Sequence, residues 1–307
     1  MISIKRNLED NRFSQWGEEN AVRQLLELVA PKTQTFRTAE DPGVLVEFGG
    51  SRGSDHSNFF RFVDAGPALV MIEGDSDRFH GLESTAARFP SLIAINAWVD
   101  DGKNSVAEIL RRRDINTHNI YGISIDIDGD DALIFETLGV NPCFVVIEHN
   151  PALPLDGRFR NPKGRNVGNN LGELVAVAAQ RGMFPVCVTE TNIIFLDNKY
   201  QNIVYEIDVA NELKSLDLMR FGIGFDGTLV RYSTLGHDTT AEFYHNGWAK
   251  CLVVQPLPRI IRHLVLKKSA ANLKLAYSSL IAFLLRPISF SVFVTRYVQS
   301  RRRQRSN

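Results

Sequence analysis

Cysteine is scarce in this chain: Cys143, Cys187 and Cys251 are the only three among 307 residues, and they lie far apart. That excludes a disulfide framework and a zinc ribbon, and it fits a reducing compartment. The opening residues, Met1 to Asn7, lack the apolar core of a signal peptide, so a cytoplasmic location is expected. The histidines show no His-Glu-x-x-His spacing, which removes that metalloprotease signature. Acid is missing from one end. After Glu242 there is no Asp or Glu, while twelve Lys and Arg follow. The formal net charge is zero, so residues 1–242 carry an equal excess of acid. Internal repeats are absent, and low complexity is confined to the terminal arginines.

What is present is organised around Val44 to Gly53. An apolar run ends in Glu47-Phe48 and breaks into Gly49, Gly50 and Gly53. This reads as a buried parallel strand feeding a tight turn that lets backbone approach a ligand. A second apolar run, Ala68 to Ile72, ends in Glu73, twenty-four residues after Gly49. That is the spacing at which a doubly wound sheet sets a carboxylate against a ribose. A dinucleotide site would want Gly-x-Gly-x-x-Gly and a helix N-terminus facing a pyrophosphate. Here an acid precedes the turn, which repels phosphate and welcomes a cation. S-adenosylmethionine is cationic and carries no phosphate, so it is preferred over NAD.

The remaining pattern alternates. A helix is expected over residues 12–30, with Ser14 and Glu18 at its start. Further helices are expected over 57–63, 79–89, 106–113, 133–138 and 171–182. Strands are expected over 92–99, 121–126 and 144–147, and 184–188 pairs with 192–196 as a hairpin. The fold class is therefore α/β, a doubly wound, mainly parallel sheet. Residues 1–43 form a helical lead-in, 44–204 the main domain, 205–260 an extension packed on it that the pattern leaves unplaced, and 261–307 a basic tail.

Ligands of such sheets lie beyond the carboxyl ends of the strands, where Glu47, Glu73, Asp100, Asp126 and Glu148 all fall. Glu47 is expected to meet the ammonium or ribose of the cofactor, with a solvated strand-end acid as the alternative. Glu73 is assigned to the ribose hydroxyls and Asp100 to the adenine amino group, with a turn-forming role competing for Asp100. Asp126 and Asp128 are one residue apart, so a strand would point both to one face. Two such carboxylates raise one another's pKa, which makes them candidate bases. His149 is the best histidine for that role, with His56 second. Asp126, Asp128, Glu148 and Asn150 form an oxygen-rich set that could hold Mg²⁺ or another divalent cation; for Asp130 and Asp131 a helix-capping turn competes.

These motifs occur together in a known order. Ser14-Gln15-x-Gly17-Glu18, the Glu47 to Gly53 turn, Ser57-Asn58, Ile72-Glu73-Gly74-Asp75, Ser124 to Gly129 and Ile147 to Asn150 resemble the FkbM-like branch of class I S-adenosylmethionine-dependent methyltransferases. The hairpin ending Asn192 to Phe195 is similar to that group's final strands. Two positions depart from many relatives, which have Lys and Glu where Ser124 and Asp128 stand here. The resemblance implies methyl transfer onto the hydroxyl of a sugar or glycan-like acceptor. A nicotinamide-dependent oxidoreductase and a non-catalytic membrane-tethered adaptor are the alternatives.

In the tail, Leu275 to Leu285 is eleven residues without charge, interrupted by Arg286-Pro287. A span needs about twenty apolar residues. Apolar pieces flanked by cations suit an interfacial position, so residues 264–307 are expected to meet an anionic membrane surface. A packed helix or a homo-oligomer contact competes with that reading. Nucleic acid is disfavoured, because no nucleic-acid fold signature accompanies the arginines.

Overall fold

The computed structural model describes residues 1–30, 43–65, 67–155, 157–163, 165–216, 218–223, 229–233 and 252–255. The chain divides into two units, Met1–Lys214 and Ser215–Asn307.

The first unit is built on a seven-stranded sheet. Its strands are β1 (Val44–Phe48), β2 (Ala68–Glu73), β3 (Leu92–Asn96), β4 (Ile120–Ile125), β5 (Phe144–Glu148), β6 (Met183–Val188) and β7 (Asn192–Asp197). They lie in the order β3-β2-β1-β4-β5-β7-β6. The first five are mutually parallel, and β7 enters antiparallel to β5 and to β6. Strands β1, β4 and β6 are buried at every position, as expected of runs covered on both faces. β3 is an edge, and only Leu92 and Ile95 of it are buried. At the other edge β6 carries Pro185, beside a register shift, where a missing N–H costs no ladder bond.

The helices are α1 (Glu18–Val29), α2 (Ser76–Ala86), α3 (Val106–Arg111), α4 (Asp131–Glu136), α5 (Leu171–Gln180) and a short α6 (Val209–Glu212). Side-chain caps start three of the longer ones. Asp75 accepts from the N–H groups of Asp77 and Arg78, Ser105 from Glu108, and Asn170 from Glu173. Helix α1 begins differently from the expectation. Ser14 is partnered by Glu19, whose carboxylate takes the N–H groups of Arg12, Phe13 and Ser14. Glu18 turns inward and ties α1 to β7 through Thr189 and Asn192.

On one face, Ala21, Val22, Leu25 and Leu26 of α1 share a core with Leu45, Leu69, Met71, Phe144, Val146 and Ile194 of the sheet. Side chains alternate along a strand, so these positions share the α1 side. Phe59 meets Phe144 edge-on with ring centroids 6.0 Å apart, and Phe60 bridges Phe13 and Phe89 in the same manner. Each such side chain stabilises the fold by about 1.5–3 kcal/mol through burial.

Several expected elements come out shorter, among them the helix over 12–30, which is Glu18–Val29. The helix over 57–63 is a single 3-10 turn, Phe60–Phe62, and Glu47 and Ser57 accept the N–H groups of Asn58, Phe59 and Phe60 ahead of it. Strand β3 stops at Asn96, after which Trp98 folds over Gly74. In the second unit, β8 (Met219–Ile223), β9 (Leu229–Ser233) and β10 (Leu252–Gln255) form an antiparallel sheet in the order β10-β9-β8. They fall in the segment that sequence periodicity leaves unplaced. The tail expected to meet a membrane, residues 264–307, lies outside the described residues.

Candidate functional site

The strand register builds a polar row on the α1 face. Glu148 of β5 is paired with Asn192 of β7, and Ser124 of β4 with Val146 of β5. Asp126, two residues beyond Ser124, therefore reaches the level of Glu148. Across the sheet β1 pairs Glu47 with both Met71 and Ser124, so Glu73 and Asp126 stand one level above it. Between them lies Gly49, which interposes no side chain. The row Glu73, Gly49, Asp126, Glu148, Asn192 thus crosses the carboxyl edge above a layer of Met71, Glu47, Ser124, Val146 and Ile194.

The glycines of the turn serve different demands. A Cβ on Gly49, at φ +79°, would lie 1.6 Å from the carbonyl oxygen of Asp126. Glycine is obligatory there because the β1 turn and the end of β4 touch through backbone. Gly53, at φ +105°, would press Thr85 and Leu82 of α2 at 3.1–3.2 Å. Gly50 is unlike them. A Cβ there would meet Met71 at 3.6 Å, an ordinary contact, so packing does not require glycine.

The acids divide by partner. Glu47 is buried and points below the row. Its carboxylate accepts from Ser57 Oγ at 2.6 Å and from the N–H groups of Asn58 and Phe59 at 2.9 and 3.2 Å. Burial pushes its pKa up to about 7 against the pull of those donors. Glu73 is buried at 4% exposure. One of its oxygens accepts from Asp75 N–H at 2.8 Å, and the other, Oε2, is buried with no hydrogen-bond partner among the described residues. Asp100 is exposed, and its Oδ1 accepts from Gly102 and Asn104 at 2.8 Å in a local turn.

Asp126, Asp128 and Glu148 converge, each with a carboxylate oxygen within 4.8 Å of the others. Burial, reinforced by neighbouring acids, raises the pKa of both Asp126 and Glu148, and the two share a hydrogen bond. One proton between them relieves the repulsion. Asp128 is held at φ +61°. Asp131 fastens this turn by accepting from Ile127 and Gly129, and burial lifts its pKa to about 6. Three carboxylates are donors that suit a hard divalent cation. Asn150 is engaged elsewhere, donating to the Val167 carbonyl and accepting from Ala152 N–H. His149 follows Glu148 by one residue, so the pleat sends it to the other side. It is 1% exposed with Nε2 3.2 Å from the Thr189 carbonyl oxygen. His56 is exposed, at φ +60°.

The segment between β5 and α5 carries residues that periodicity does not single out. Asn161 donates to Asp130 and to the Arg165 carbonyl, Asn169 donates to the Gly129 carbonyl, and Asn170 donates to the carbonyls of Pro154 and Gly157. Asn161 and Asn169 thus fasten this segment to the turn that bears Asp128, and Asn170 ties Pro154 and Gly157 to the start of α5. Lys163 then reaches Asp101, in the loop after β3, at 3.0 Å. The Asn169-Asn170 pair before an apolar helix was the visible signal, since asparagine caps helices. Trp98 was also missed: its indole lies against Gly74, where a Cβ would be 2.4 Å from the ring, and is 70% exposed.

A five-stranded parallel core continued by a reversed β7 and by β6 makes a mainly parallel, doubly wound α/β sheet. The chain is similar to the CMeT domain of the citrinin polyketide synthase (12% identity, TM-score 0.41, 58% of this chain and 50% of that one). It is also similar to the N-terminal domain of EvdMO1 with SAH bound (10%, 0.37, 60% and 82%). A third is TrmK of M. capricolum in complex with S-adenosyl-homocysteine (10%, 0.36, 58% and 67%). The chain thus spans about half the length of the first of these structures. No protein-family model matches it, and no curated protein matches it by sequence. Among the described residues no helix is long and apolar enough to cross a membrane.

Proposed function

We propose that this chain is an S-adenosylmethionine-dependent methyltransferase acting on a hydroxyl of a sugar or glycan-like acceptor, docked on an anionic membrane surface through residues 264–307. The observation that carries the reading is the buried, partnerless Oε2 of Glu73 beside a glycine turn whose middle member, Gly50, has no packing reason to be glycine. A buried carboxylate oxygen without a donor is costly, and a ribose hydroxyl supplies the missing donor. The exposed indole of Trp98, on Gly74 next door, offers an aromatic face for adenine. The charge of the row favours a cationic ligand over a phosphorylated one.

S-adenosylmethionine, when bound, supplies an electrophilic methyl group. The chain's own residues do the rest. Glu73 and the Gly49–Gly53 turn hold and orient the donor, and orientation alone can lower such a barrier by about 7–11 kcal/mol. Asp126 and Glu148 sit where an acceptor hydroxyl would lose its proton. Burial raises the pKa of both members, so one proton stays on the pair and the member left ionised can act as the base. Asp126, Asp128 and Glu148 are also the residues that would hold a divalent cation, which would polarise the acceptor oxygen. His149, on the far side of β5, supports the hairpin from behind.

Calorimetry of the full chain with S-adenosylhomocysteine, beside a fluorescence titration with NADH, tests the reading. Micromolar binding of the first and none of the second is expected. Binding of NADH alone, or of neither, would refute it.

A further inference from the structure

Two loops at the carboxyl edge lean toward the end of β1 from opposite sides. The loop after β3 turns back over β2, because Trp98 packs on Gly74 so closely that a Cβ there would be 2.4 Å from the ring. It is a fixed turn. Asp100 Oδ1 accepts from the N–H groups of Gly102 and Asn104, and the Asp100 N–H donates to the Asn104 carbonyl at 3.1 Å, with Asp101 carried between them. The segment after β5 leans the other way, over β4. A Cβ on Gly129 would lie 2.4 Å from the Arg165 carbonyl oxygen, and Asn161 and Asn169 fasten the segment to Asp130 and Gly129. Lys163 sits between Asn161 and Arg165, inside a turn closed by the Arg165 N–H on the Pro162 carbonyl at 2.9 Å. Its Nζ meets both carboxylate oxygens of Asp101, at 3.1 and 3.0 Å.

In the sheet, β2 and β1 separate β3 from β4. Neighbouring strands are about 4.8 Å apart, so the two loops spring from strand ends about 14 Å from one another, and the ion pair joins them across that gap. The strand ends in the gap are those that carry Glu73 and the Gly49–Gly53 turn. We propose that Asp101 and Lys163 form a strap that closes over a bound adenosine compound and opens for it to enter or leave. The strap rests on the methyltransferase reading, which puts the cofactor beneath it. The two side chains are 36% and 71% exposed. An exposed ion pair holds weakly and is screened by salt. The base of each loop is held by several hydrogen bonds, so the ion pair is the part that yields.

The test is the rate at which S-adenosylhomocysteine leaves the loaded full chain on dilution in a stopped-flow cell, followed by tryptophan fluorescence. This compound carries no net charge, so its own long-range attraction to the acidic row is small. Raising NaCl from about 20 mM to about 500 mM should speed release from wild type about threefold to fivefold. Lys163→Asp should release faster than wild type at low salt by at least that factor, and salt should slow it, because two carboxylates then repel. The double variant Asp101→Lys with Lys163→Asp restores the pair with its signs exchanged. It should return the wild-type rate and salt response, which a merely structural loss at either position would not. Release rates of wild type and Lys163→Asp that agree at both salt concentrations, or a double variant as fast as Lys163→Asp, would refute the strap while the cofactor assignment stands. If S-adenosylhomocysteine fails to bind wild type, the methyltransferase reading falls and the strap falls with it. Should a variant fail to fold, wild type alone decides: release that does not respond to salt refutes the strap.

Discussion

Glu47→Gln should remove a specific part of the pH dependence of folding. The Glu47 carboxyl is buried, and its pKa rises from 4.5 to about 7, chiefly through desolvation. A folded-state pKa above the unfolded one gives a contribution fully present below pH 4.5 that is lost as pH rises through 7. A gap of that size corresponds to about 3 kcal/mol. Stability should therefore fall by about that amount between about pH 4.5 and 8 on account of this one group. Glutamine keeps the shape and cannot titrate. Its amide oxygen can accept from the Asn58 N–H, and its NH₂ can donate to Ser57 Oγ, while the Phe59 N–H loses its carboxylate partner. The absolute stability of the variant is thus a compromise, but its slope is not. Urea unfolding of both proteins at a series of pH values isolates Glu47 from Asp126, Asp131 and Glu148, which remain in each. Parallel curves would show that Glu47 stays ionised in the fold, with its three donors outweighing its burial.

Gly49→Ala forces a Cβ into the Asp126 carbonyl and a side chain into positive φ, so thermal unfolding should show a loss of more than about 3 kcal/mol. Gly50→Ala meets only ordinary contacts; its stability should stay within about 0.5 kcal/mol of wild type while calorimetry shows weaker binding of S-adenosylhomocysteine. Asn170→Ala removes the cap of α5 and the clamp on Pro154 and Gly157, and should cost about 2 kcal/mol in urea unfolding.

Much of the sheet is legible in the sequence, because its strands are short apolar runs that end in acids. The register then turns a list of acids into a row, and this is where sequence reading stops. Glu47 and Glu73 both end apolar runs, yet one is filled by Ser57, Asn58 and Phe59 while the other keeps a bare oxygen. Only tertiary contacts separate them. The same contacts, between Glu47 and the N–H groups of Asn58 and Phe59, join β1 to the segment where a helix was expected over 57–63 and a single 3-10 turn forms. The orientation of His149 was within reach of the pleat rule, because a residue adjacent to Glu148 cannot share its face. The asparagine clamp was not, since its partners lie up to 40 residues away. In residues 205–260, short strands without clear alternation conceal the second sheet.

The most direct measurement is a crystal structure of the full chain grown with S-adenosylhomocysteine. The account predicts ribose hydroxyls donating to Glu73, adenine against Trp98, and the sulfur end above Gly49 toward Asp126 and Glu148. Adenosine bound elsewhere, or Glu73 Oε2 still without a donor while the compound is present, would contradict it.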